Sequence, residues 1–74
     1  MDGTAVIRFP PQQSMKSARK VVDEIAASGG FTADHIQDGS VVYTKLEGRY
    51  RITLAIEKEG ERKYTVVKST EEVL

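Results

Sequence analysis

The chain has no cysteine and no tryptophan, a single histidine, two adjacent prolines and no net charge. Without cysteine there can be no disulfide, no thiolate nucleophile and no cysteine-ligated zinc, and the chain would be stable in a reducing cytosol. Eleven basic side chains balance eleven acidic ones. The field of the whole molecule therefore gives no generic pull towards nucleic acid or membrane, and any such affinity must come from local patterning. No apolar run approaches the roughly 18 residues of a membrane span, and the N-terminus lacks a basic-then-apolar signal pattern. The expectation is a soluble, unprocessed, cytoplasmic protein with no membrane association. Seventy-four residues make one small domain, 1–74, with a marginal core and no room for a second lobe.

What is present is alternation. Thr4 to Phe9, TAVIRF, places Ala5, Ile7 and Phe9 on one side and Thr4, Val6 and Arg8 on the other, as a strand does. Pro10-Pro11 ends it, because neither ring can donate to a ladder and Pro11 holds Pro10 extended. Such an exit suits a sheet edge or corner. From Met15 to about Ser28 the spacing becomes helical, with Met15, Ala18, Val22, Ile25 and Gly29 on one stripe and Val21 and Ala26 widening it. Ser14 is the expected N-cap and Gly29-Gly30 the stop. Phe31 to Ser40 reads as a link, in which Thr32 caps one short turn holding Asp34, His35 and Ile36 before Asp38-Gly39 reverses the chain. Phe31 and Ile36 are expected to plug the end of the core.

Val41 to Lys68, VVYTKLEGRYRITLAIEKEGERKYTVVK, then reads as a three-stranded antiparallel meander. Leu46-Glu47-Gly48 and Lys58-Glu59-Gly60 share the pattern x-Glu-Gly, which fits a three-residue loop with glycine in the left-handed third position. Applied twice, that loop pairs Val42 with Ile52, Thr44 with Tyr50, Leu54 with Tyr64 and Ile52 with Val66. A two-residue Glu47-Gly48 loop is the alternative and would put Val41 and Tyr43 inside. In the tail, Ser69 and Glu72 have capping-box spacing, so one helical turn is expected, or the start of a longer helix cut short. The fold class that follows is α+β in β-α-β-β-β order. One amphipathic helix packs on one face of a mostly antiparallel sheet, against Ile7, Phe9, Val42, Ile52, Leu54, Ile56, Tyr64 and Val66. The first strand can join either edge of the meander.

On that register the outer face of the meander carries Tyr43, Lys45, Arg49, Arg51 and Lys63, and these five form the candidate binding surface. The bland reading is a solvated face balanced by Glu47, Glu57 and Glu61. Basic residues interleaved with an aromatic can also grip a phosphate backbone and stack a base, or anchor a partner protein. A secondary anion site is read at Lys16, Arg19 and Lys20, which lie in the half of the helix where the macrodipole disfavours cations. A solvated helix face is the alternative there too.

No phosphate-binding glycine loop is present, since Gly29-Gly30 follows a helix rather than a strand. No metal site or cofactor is expected: Glu57, Glu59 and Glu61 alternate beside Lys58, Arg62 and Lys63, a pattern that favours ion pairing. Ser40, His35 and Asp38 could compose a triad, but proximity in a polar loop is not convergent geometry. The expected function is therefore a non-enzymatic protein-binding module, a small adaptor or inhibitor, using an open sheet face or a free edge strand. A homodimer by edge-strand pairing is one form this could take. The alternatives are a nucleic-acid binder on the basic, tyrosine-bearing face, and a minimal ribonuclease acting through Arg51, Lys63, Tyr43 or His35.

Overall fold

The computed structural model describes residues 4–73. In chain order they form β1 (Ala5–Arg8), α1 (Met15–Gly29), β2 (Thr32–Gln37), β3 (Ser40–Glu47), β4 (Tyr50–Gly60) and β5 (Lys63–Glu72). The five strands make one antiparallel sheet in the order β1-β5-β4-β3-β2. The α+β class, the single helix on one face and the antiparallel meander are as expected; β2 is an additional strand. The shortest dimension, 19 Å, is that of one sheet carrying one helical layer.

The helix is bounded as its sequence dictates. Ser14 is extended, and its hydroxyl accepts from the Ser17 N–H at 3.1 Å. Gly30 closes the other end at φ 72, its N–H donating to the Ala26 carbonyl. Ala18, Val22 and Ala26 are buried. With Leu54 and Val66 beneath them, Val22 and Ala26 form the core, flanked by Phe9, Val21, Ile25, Phe31, Tyr43 and Ile56. Burying a valine or leucine fully contributes about 1.5–3 kcal/mol, so Val22, Leu54 and Val66, each with no exposed surface, contribute on that scale.

The turns depart from expectation. Glu47 pairs with Tyr50, so the β3–β4 loop is Gly48-Arg49, with glycine in its first position at φ 63. That is where a type II′ hairpin turn requires it. Tyr43 consequently faces Leu54, and Lys45 faces Ile52. The displacement from the expected register is an odd number of residues, which turns β3 over. Tyr43 and Lys45 join the helix side, while Val42 and Thr44 move to the open side. In the second hairpin Gly60 pairs with Lys63 across Glu61-Arg62, with a bulge between Lys58 and Gly60. Leu54 now faces Lys68 and Ile52 faces Thr70. That displacement is even, so Ile52, Leu54, Ile56, Tyr64 and Val66 keep the expected face.

Three further expectations are corrected. Thr32–Gln37 is a strand and not a helical turn, because Asp38 and Gly39 both take positive φ, 52 and 77. They form the two-residue turn that commits its flanks to pairing; one isolated helical turn has no comparable gain. Phe31 packs on the core, but Ile36 is 74% exposed. The tail continues β5 to Glu72, paired with Tyr50, since β4 is long enough to satisfy its backbone groups; Leu74 lies outside the described residues. β1 joins the β5 edge of the meander, and β2 covers the other.

Candidate protein interface

The five residues expected on one basic face are divided by the register. Tyr43 and Lys45 stand on the helix side. The Tyr43 hydroxyl donates to Asp23 of α1 at 2.6 Å, and this bond, followed by burial, raises the phenol's pKa. The Lys45 ammonium donates to the Gly29 carbonyl at 2.8 Å, meets Glu47 at 3.1 Å and lies 4.9 Å from the centre of the Phe31 ring. Both are long side chains with polar tips, and both spend those tips on the helix. Arg51 and Lys63 alternate to the open side, and Arg49 sits in the β3–β4 turn. Arg49 pairs with Glu72 at 3.1 Å and Arg51 with Glu71 at 3.3 Å. Lys63 has no ion pair among the described residues.

Lys16, Arg19 and Lys20 do come together. With Asp23 they line a surface hollow of about 440 Å³, and none of the three has an ion pair among the described residues. The Tyr43 hydrogen bond holds Asp23, the acid one turn beyond Arg19, towards β3.

The open face is dressed by its own charges. Arg8 on β1 reaches Glu57 and Glu59 on β4, at 3.4 and 3.3 Å. Because β5 lies between those strands, the guanidinium must pass over it. Thr65 and Val67, on that stretch of β5, are 2% and 4% exposed, with no second layer of helix or strand above them among the described residues. The Thr65 hydroxyl donates to Glu59 at 2.6 Å. That bond, and then Arg8, holds the Glu59 carboxyl below its ordinary pKa. A depressed carboxylate stabilises the folded chain above the unfolded carboxylate pKa, and the stabilisation is lost as pH falls through the folded value. Replacing Thr65 by valine is expected to raise the Glu59 pKa in a carbon-detected NMR titration. An unchanged titration would remove the hydroxyl as the main cause.

His35 and Arg51 line one open-side hollow of about 420 Å³ with Asp34, Thr44, Thr53 and Glu71. His35 bonds Asp34 through Nδ1 at 2.8 Å and Gln37 through Nε2 at 3.3 Å. Those bonds raise its pKa, Asp34 foremost. Tyr43 is on the opposite side of the sheet, so the four residues considered for RNA cleavage do not converge.

Two sheet edges remain, and they differ. All of β2 is exposed, but it is broken by a bulge between Ala33 and His35, a device that blunts edges. β1 has no bulge. The Phe9 N–H donates to the Val66 carbonyl at 3.0 Å, so by alternation Ile7 and Ala5 also address β5. Val6 and Arg8 then turn their N–H and C=O outward. Val6 and Ile7 are 50% and 53% exposed. Ile7 stands opposite Lys68, and Lys68 lines a groove of about 500 Å³ beside the helix C-terminus, floored by Phe9, Ile25, Phe31 and Ile52. Lys68 has no ion pair among the described residues. The Pro-Pro exit signals an edge strand, but the place of Lys68 beside it follows only from the β1–β5 register, which the sequence pattern leaves open.

No helix of the described residues is long and apolar enough to cross a membrane. Compared with protein-family models, curated proteins and solved structures, the chain matches none.

Proposed function

We propose that the chain is a non-enzymatic protein-binding module, a small adaptor or inhibitor, that takes an extended segment of a partner as a sixth strand along β1. The observation that carries this reading is the unbulged β1 edge, which no strand covers among the described residues, with Val6 and Ile7 half exposed on its two faces. Main-chain bonds to Val6 and Arg8 supply affinity in this mode, and alternate side chains supply specificity. Side chains entering the helix side meet the groove of Phe9, Ile25, Phe31 and Ile52. An acidic side chain there would pair with Lys68. A cysteine-free chain needs no oxidising compartment, which supports the cytoplasm as its place of work.

The test is affinity capture from the native host with wild-type chain and a Val6→Pro variant, in nuclease-treated and untreated lysate. Proline at this edge removes the outward N–H without touching the bonds to β5. The expected result is a protein partner that survives nuclease and is lost with the variant. A partner retained by Val6→Pro would overturn the reading.

A nucleic-acid reading keeps one supporting observation, the three unneutralised cations of α1. It loses the shared face of Tyr43, Lys45, Arg49, Arg51 and Lys63. Loss of capture after nuclease treatment, with a steep negative salt slope for oligonucleotide binding, would favour it.

A further inference from the structure

We infer that the β1 edge also accepts a second copy of this chain, pairing β1 with β1 about a two-fold axis at Val6; this rests on the strand-addition reading. The two edges of the sheet are not equally able to do so. On β2 the bulge falls at Asp34, whose carboxylate is bound to His35 at 2.8 Å, so a second chain would meet an irregular, charged margin. On β1 the outward backbone groups belong to Val6 and Arg8. The next outward position is Pro10, which has no N–H, so the usable ladder ends at Arg8.

These limits select a register. Antiparallel pairing of the outward positions sets Val6 against Val6 of the second copy at the axis, and Thr4 against its Arg8, without using Pro10. On the open face valine meets valine. On the helix face Ala5 meets the second copy's Ile7, so each half-exposed isoleucine gains an apolar neighbour. Like charges are not opposed, because Arg8 faces threonine and its guanidinium is already held by Glu57 and Glu59 of its own chain. The two five-stranded sheets become one continuous sheet with both helices on the same side. The contact is isologous and closed. The same pairing hides the outward groups of Val6 and Arg8, so self-association withdraws the partner-binding edge as concentration rises.

The paired stretch is short. It belongs at the weak end of specific interfaces, so association is expected between about 0.01 and 1 mM. Sedimentation equilibrium of the full chain tests it. The weight-average mass should climb from 8.2 kDa towards twice that value for wild type and for Ile36→Lys on the β2 edge. Val6→Lys should stay monomeric, with a circular dichroism spectrum matching wild type. In wild type alone, exchange of the Val6 and Arg8 amides should slow as concentration rises, which needs no variant. A wild type that stays at 8.2 kDa throughout, or a Val6→Lys chain that associates equally, overturns self-pairing. A monomeric wild type whose host partner is still lost with Val6→Pro removes self-pairing and leaves strand addition standing. A dimer abolished by Val6→Lys, with no partner lost with Val6→Pro, does the reverse.

Discussion

Truncating Leu54 to alanine is expected to remove about 3 kcal/mol of folding stability, within the roughly 2–5 kcal/mol range for emptying a buried leucine site. Leu54 has no exposed surface and lies on β4, the centre of the sheet order. Tyr43 stands opposite on β3 and Lys68 on β5, with Val22 and Ala26 of the helix above. No neighbour can move in to fill the space without dragging a strand or the helix with it. A single core in a domain of this size supplies only about 3–5 kcal/mol, so the variant should sit at the margin of folding. Its melting temperature should fall by roughly 12–24 °C, using the scaling for domains of this length. Urea unfolding followed by circular dichroism measures it. A loss under about 1 kcal/mol would mean that Leu54 is not at the centre of the core.

How much of this was legible depends on what each segment specifies. The helix was readable to the residue at its start and to within one residue at its end, where it runs on through Gly29, because three local signals agree: Ser14 at the cap, a single apolar stripe, and Gly30 in the left-handed conformation. β1 was readable as an edge because Pro10-Pro11 cannot extend a ladder. The apolar set of β4 and β5 was assigned to the correct face although its partners were displaced, since an even displacement preserves the face. β3 was not legible. Its two faces offer Val41 and Tyr43 on one side and Val42 and Thr44 on the other, and either pair can be buried, so nothing in the pattern penalises the wrong one. The turn had to decide, and glycine with positive φ fits the first position of a two-residue loop as well as the last of a three-residue one. Gly48 takes the first.

The candidate site inherits that ambiguity. A basic, tyrosine-bearing face existed only in the register that the Gly48-Arg49 turn excludes. β2 was missed because its bulge interrupts alternation at Asp34-His35 and leaves two exposed apolar residues, Ala33 and Ile36. Without β2 the β3 edge looked available to the first strand. With β2 in place, β1 and β2 are the margins, and the unbulged one carries Val6.

The largest functional effect is expected at that margin, and it should be nearly separable from stability. Val6 contributes an exposed side chain and an outward backbone, with no part in the Val22, Ala26, Leu54 and Val66 cluster. A change there should alter binding while leaving the melting temperature within the small range usual for surface substitutions. Ile36, 74% exposed on the bulged edge, is the matched control: more exposed than Val6, equally apolar, and on the wrong strand. If exposed apolar surface alone recruited partners, Ile36 would be the stronger site. If an open ladder is required, Val6 would be.

The most direct measurement places a photo-reactive phenylalanine analogue at position 6 or at position 36 of the full chain in its native host and compares the protein adducts formed on irradiation. Adducts from position 6 and not from position 36, with cross-linked peptides mapping to extended segments of the other protein or of a second copy, are the predicted result. Adducts from position 36 alone, or none from position 6 while the chain is folded, would contradict strand addition along β1.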